Sequence, residues 1–329
     1  MVAKMKKKTS SEKSGELQLV SSAEDKEIQK YKSYMPAPFI AAALPARDVK
    51  RNVFVRKYNN ITLRLSGALK VPFGKYGRLL LTILTTHAVI CKNTRPDEPV
   101  TITYKSLNEL MKELQLPNSR CKEIKEQLDC FANASFIFEE RRMKVIQKSL
   151  FSGFLDGEDD NFEDEIKATK VSTGMIPFIK GMQYIELEDR KGENKNVAFN
   201  IILADDFVKF SQEHSVPIDY TTYKSISSAI GKDLYAWFVY RNNSLKEPLF
   251  IPKKSLVDQF MPVKEGANKD QFRTNYEYLK NQIKTIQEKY YKDLNVKFDP
   301  DNQGITLYKS KAPIMSDDQR YILITAGLQ

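Results

Sequence analysis

The chain of 329 residues holds two histidines, His87 and His214, and neither has a histidine neighbour. That excludes the close histidine pair and nucleophilic tyrosine shared by rolling-circle nucleases and relaxases. Its three cysteines, Cys91, Cys121 and Cys130, are odd in number and show no CxxC spacing. This argues against a disulfide framework and against a zinc site, and the three read as reduced, partly buried thiols. No apolar run approaches the ~20 residues of a membrane span. The basic start MVAKMKKKTS is followed by no apolar segment, so no signal peptide is expected. A cytoplasmic protein with no membrane partner is the expectation.

Other catalytic patterns are also missing. Gly67 and Gly74-Lys75 are separated by six residues and followed by Tyr76, whereas a phosphate loop needs four between its glycines and a Ser or Thr after the lysine. Pro96-Asp97 with Glu123-Ile-Lys125 fits the loose PD…ExK pattern of metal-dependent nucleases. That glutamate and lysine belong on a strand, and here they fall on an amphipathic helix. No enzyme activity, cofactor or metal is expected.

What the sequence has is positive charge. The formal net charge is +10, although Asp156–Glu165 alone holds seven carboxylates, so the remainder carries about +17. Such a field suits a polyanion. The acidic decapeptide lacks the glycine-anchored spacing of a calcium loop and reads as a solvated insertion in the first wing. With 41% apolar and 29% charged residues, the composition is globular and long enough for two domains.

Residues 1–34, rich in Lys, Ser and Glu, read as a disordered basic tail. Asn52–Leu65 alternates polar and apolar residues as a strand or hairpin does. Tyr76–Lys92 (YGRLLLTILTTHAVICK) is apolar almost all round, with Thr82, Thr85 and Thr86 as a thin polar side, and reads as a buried central helix. A short β-rich piece, Val100–Tyr104, precedes a second helix over Lys105–Leu116, where Ser106 and Glu109 have capping-box spacing. Pro117-Asn-Ser119 breaks it. A third helix runs to about Asn133, and β-like runs at Ser135–Glu139 and Met143–Phe154 close the unit as a wing.

The same order recurs further on. Gly231–Asn243 (GKDLYAWFVYRNN) carries the only tryptophan, with Leu234, Trp237, Phe238 and Arg241 at helical spacing. It reads as a second central core helix rather than a cofactor or base-stacking box. A run at Pro248–Pro252, a helix at Lys254–Phe260 with Ser255 and Asp258 at capping spacing, a long helix from Lys269 to about Tyr291, and a hairpin over Asn295–Tyr308 follow. Helix, strand, helix, turn, helix and hairpin is the winged-helix form of helix-turn-helix. Found twice, with Lys-Ser-Leu opening the second helix each time, it predicts an α+β fold of tandem winged-helix domains: 35–203 and 204–311, with a C-terminal tail at 312–329.

Four blocks then resemble a known family: Phe73–Ala88, Leu203–Phe210, Val216–Asp219 and Asp233–Arg241 (DLYAWFVYR). They are similar to those of plasmid-encoded RepA-type replication initiators, over about Val71 to Lys309. Ala204 stands where that family usually has serine. The resemblance implies an initiator that binds repeated double-stranded DNA sites at an origin, helps open the adjacent duplex and brings in the host replication initiator and replicative helicase. Many such proteins repress their own promoter, and a homodimer stays open. A dedicated transcriptional repressor on the same fold is the alternative, and a metal-dependent nuclease a distant third.

The candidate DNA-binding residues lie on the third helix of each unit. In the second unit these are Lys269, Arg273, Thr274, Lys280, Asn281 and Lys284. Arg and Asn can read guanine and adenine edges, and Lys neutralises phosphate. In the first unit Ser119, Arg120, Lys122 and Lys125 occupy the matching surface, diluted by Glu123 and Glu126. An ordinary solvated helix face is the competing explanation for both.

Overall fold

Residues Gly77–Thr85 and Ile230–Phe238 are buried at nine successive positions each, so neither helix has a solvent face over that stretch. They are the axes of two units in the computed structural model, which describes residues 32–58, 61–94, 98–146, 166–171, 174–188, 194–263 and 269–313. The expected tail before residue 32, the acidic stretch Asp156–Glu165 and the tail after residue 313 lie outside the described residues.

The first unit is built on α2 (Gly74–Thr94). After it come β4 (Thr101–Tyr104), α3 (Leu107–Glu113), a 3-10 turn over Asn118–Arg120 and α4 (Cys121–Ala132). The second is built on α7 (Ala229–Ser244), then β11 (Leu249–Pro252), α8 (Lys253–Phe260) and α9 (Lys269–Thr285), which continues as a π-turn to Tyr290. Its wing is β12 (Val296–Phe298) and β13 (Gly304–Leu307), and the three strands run in the order β11-β13-β12.

The wing of the first unit is not where the sequence suggested. Ala134–Ile146 is one strand, β5, and it leaves the unit. Its first half pairs antiparallel with β3 (Ile61–Gly67) and its second half with β6 (Ile166–Val171), in a sheet that also holds β2 (Val53–Tyr58) and β7 (Met175–Pro177). The true wing is the later hairpin β8 (Ile179–Glu188) and β9 (Asn194–Leu203). With β4 it gives the order β4-β9-β8, the same as in the second unit. The acidic stretch therefore falls between β5 and β6, not in the wing. The fold is α+β with tandem winged-helix units, and this matching strand order establishes it.

A finer repeat runs through the helix packing. A Cβ on Gly77 would meet Gln127 Oε1 of α4 at 2.8 Å, and one on Gly231 would meet Gln282 Oε1 of α9 at 2.8 Å. In each unit a glycine in the first turn of the central helix thus lets the third helix approach closely. Each glycine is followed by a fully buried basic side chain, Arg78 or Lys232.

Two local expectations are corrected. Ser106 precedes α3 but makes no side-chain cap bond; Glu109 instead accepts from the Lys105 amide at 2.6 Å. Ser255 lies inside α8, whose N-cap position is Pro252, and Asp258 pairs with Lys254 at 2.6 Å. The threonines of α2 do not face water. Thr82 and Thr85 are buried, and the Thr86 hydroxyl accepts from the Tyr34 amide of β1 (Lys32–Pro36) at 3.0 Å. Residues Lys32–Tyr34, read as the end of the tail, thus begin a strand that pairs with β10 (Ser215–Asp219), which leads into the short helix α6 (Tyr220–Ser225).

One apolar cluster continues through both units. In the first, Phe136 packs edge-on to Phe39 and Phe210 and tilted against Phe178, at 4.9–5.0 Å between ring centres. These side chains come from β5, from α1 (Ala37–Ala41), from the residue before β8 and from α5 (Asp205–His214). In the second, Trp237 is buried and packs edge-on to Phe260 at 5.5 Å, as a core tryptophan should. Between the units, Arg78 on α2 makes a bidentate ion pair with Asp233 on α7, at 2.6 and 2.7 Å. It also donates to the carbonyls of Leu44, Pro45 and Gly74.

Candidate nucleic-acid interface

Helix α9 buries Tyr276, Leu279, Ile283 and the following Ile286 against its own unit and presents the opposite side to solvent. Arg273, Thr274, Asn281 and Lys284 are all exposed there, and Lys269 opens the helix. Helical phase sorts them into flanks. Arg273, Lys280 and Lys284 share the flank facing the wing, where the Lys284 ammonium lies 5.7 Å from the centre of the Phe298 ring. Lys280 is the most engaged of the three: its ammonium reaches Asn302 at the wing tip (2.9 Å) and Glu277 (3.3 Å). Asn302 holds a positive φ of 57°, which asparagine tolerates, so the tip is shaped for this contact.

The other flank of α9, with Gln271, Thr274, Tyr278 and Gln282, faces the first unit across a groove of about 970 Å³. The far wall is the loop Pro45–Val49 with Phe54 and Arg56 of β2; the end is Ser227–Ile230 at the start of α7. Ser228 caps that helix by accepting from the Gly231 amide at 3.1 Å, and its hydroxyl meets that of Tyr278 at 3.0 Å. Neither Arg47 nor Arg56 was singled out from the sequence. An arginine in an alternating strand or a loop carries no local mark of what the fold will place opposite it.

On the first unit, Ser119 and Arg120 are exposed on the 3-10 turn and Lys122 and Lys125 on α4. Arg120 pairs with Glu123 at 2.9 Å, which holds that carboxyl below its ordinary range. Lys122 and Lys125 line a hollow of about 480 Å³ together with Leu69, Glu126 and Asp129. Lys70 bridges Glu126 (2.8 Å) and Asp48 (3.0 Å). The α4 surface is therefore mixed in charge, whereas the wing-facing flank of α9 is basic. Glu123 and Lys125 lie on this helix, not on a strand, and Asp97 is outside the described residues. Among the described residues no group of three or more His, Cys, Asp or Glu is placed to hold a metal ion, and no helix is long and apolar enough to cross a membrane.

Three buried or half-buried titratable groups sit behind these faces. Lys232 donates to the Tyr223 and Lys224 carbonyls and lies 4.7 Å from the Tyr223 ring centre; burial, with Arg78 nearby, pulls its pKa down to about 7. His87 Nε2 meets Glu113 at 2.7 Å, and Tyr104 donates to the same carboxylate at 2.5 Å. Burial opposes the charge on His87, but its bonds to Cys91 and Glu113 prevail and raise its pKa to about 9. Arg56 donates to the Gln259 carbonyl at 3.1 Å, and burial pulls its pKa down to about 10 despite Asp233.

No family model matches the chain, and no curated protein matches it. Among solved structures, a selenomethionine derivative of domains 2 and 3 of RctB is similar at 12% identity and a TM-score of 0.48, over 85% of this chain and 99% of that one. A second crystal structure of RctB domains 2-3 is similar at 10% identity and a TM-score of 0.42, over 82% and 94%. The winged-helix assignment rests on this chain's own strand order.

Proposed function

We propose that this chain is a non-catalytic initiator of plasmid replication that reads repeated duplex sites with α9 and uses α4 as a second contact. The observation that carries this is the α9 surface. A winged-helix reading helix must expose polar side chains toward base edges from its N-terminal half and carry cations along its flank. Arg273 and Thr274 lie in that half, and Lys284 lies three turns on, beside the wing. The chain's net charge of +10 supplies the field that draws a polyanion in. Opening of the adjacent duplex and recruitment of a host initiator and helicase belong to this proposal through the family resemblance. The test is to place the gene with its flanking DNA on a circle that lacks an origin. Transformants that disappear when Arg273 is changed to Ala support initiation. Sequence-specific binding without replication would leave a repressor instead.

A further inference from the structure

We infer that the groove between the two units clamps the phosphate backbone of the duplex read by α9, with Arg47 and Arg56 of the first unit as its cations. This rests on the proposed DNA-binding role. A helix 10–12 Å across fills a major groove about 12 Å wide, so each of its flanks meets one of the two backbones. On the wing side α9 brings its own cations. On the groove side its residues are neutral, Thr274 and Tyr278 among them, so positive charge for the second backbone must come from elsewhere.

The fold supplies it from across the groove. Arg47 is exposed and has no ion-pair partner among the described residues. Among the described residues Arg56 has one hydrogen bond, to the Gln259 carbonyl, and no carboxylate at ion-pair distance. Burial pulls its pKa down to about 10, the direction expected of a guanidinium that would gain from an anion. The one carboxylate among the described lining residues, Asp48, is occupied: it accepts from the Lys50 amide at 2.7 Å and pairs with Lys70 at 3.0 Å. Ser227 and Thr274 add hydroxyls that can donate to phosphate oxygens. At about 970 Å³ the groove is large enough for a stretch of backbone and far too small for a duplex. The first unit thereby completes the site of the second.

The test uses the full chain on a duplex carrying one cognate repeat, with affinity measured across a salt series. Arg47→Ala should weaken binding roughly tenfold and flatten the slope of log K against log salt by about 0.9, one phosphate contact. Arg51→Ala removes the same charge from the neighbouring exposed loop outside the groove and should change neither. Arg56→Lys keeps the charge and should leave unfolding unchanged while weakening the same complex. Ethylation of the one flanking phosphate that Arg47 meets should weaken binding by the wild type about tenfold and have no further effect on Arg47→Ala. Equal slopes for Arg47→Ala and Arg51→Ala would overturn the clamp, and if Arg273→Ala still relaxed specificity, the DNA-reading role of α9 would stand. Loss at Arg47 of ATP binding, measured by calorimetry with DNA affinity intact, would make the groove a small-phosphate site and also overturn the clamp. The proposed function itself is lost only if Arg273→Ala also leaves affinity and specificity for the cognate repeat unchanged.

Discussion

Removing Asp233 should cost far more than its single side chain suggests. Its carboxylate is 6% exposed and the Arg78 guanidinium 2% exposed, with paired contacts of 2.6 and 2.7 Å. Two unit charges at ~4 Å attract by about 4 kcal/mol at an effective dielectric of 20, and breaking a buried pair typically costs about 3–5 kcal/mol because a lone charge stays behind. Three backbone carbonyls remain on Arg78, which places Asp233→Leu toward the lower half of that range. The double variant Arg78→Met with Asp233→Leu carries no stranded charge. It does strip the Leu44 carbonyl of the donor that reaches it at 2.6 Å, at about 1–3 kcal/mol. Pro45 keeps the Gly74 amide at 2.9 Å. The double variant should thus be more stable than the sum of the two single changes predicts by at least about 2 kcal/mol. Urea unfolding reports this through Trp237, the only tryptophan, one helical turn from Asp233 on α7. Single variants whose losses simply add would show that the pair is not coupled.

Trp237→Ala should destabilise the protein by about 3–5 kcal/mol, since the indole is buried against Phe238 and Phe260; an unchanged melting temperature would place it outside the core. Arg273→Ala should cost about 1–3 kcal/mol on a cognate repeat and much less on random duplex, whereas Lys284→Ala should weaken both alike and reduce the salt slope by about one. If neither changes affinity, α9 is not the reading helix. Protonation should act in opposite senses at two sites. Lys232 titrates near 7 when folded and near ~10.4 when unfolded, so its penalty is full below pH 7 and is relieved as pH rises toward ~10. The stability of wild type relative to Lys232→Met should therefore rise across that window. His87 is shifted upward, so its contribution is full below ~6.5 and lost as pH rises through about 9, and wild type should lose its advantage over His87→Gln there. A difference flat with pH would reject burial as the cause of the Lys232 shift in the first case and the Glu113 and Cys91 bonds to His87 in the second.

The central helices were legible because their apolar character does not depend on which partner covers it, and Trp237 fell in the core for the same reason. The first wing was not legible. A β-rich run directly after α4 has the same local pattern whether it pairs with β4 or with β3, and only the ladder shows that Ala134–Ile146 goes to β3. Arg78 and Asp233 were opaque for a related reason: a charged residue beside leucines looks like a solvent-facing position until a second helix supplies the opposite charge. The α9 flank was visible from periodicity. Its groove-side counterpart was not, because Arg47 and Arg56 are brought to it from more than 200 residues away in the chain.

The pairing of the outermost strands sets a timetable for the emerging chain. The ladder of β1 joins Lys32 to Asp219, and that of β4 joins Thr101 to Ile202. The first unit thus cannot close either ladder until most of its own length, and the strand beyond it, has left the ribosome. The second unit closes Leu249 on Leu307, a much shorter loop with a smaller entropic cost. In a chain made at ~5–20 residues per second, the N-terminal half waits open for several seconds while its later strands are synthesised. The first unit can close its ladders once Asp219 has emerged, well before Leu307 completes the second, and a stall between residues 147 and 200 would leave α2, the most apolar helix of the first unit, without α5, which packs against it.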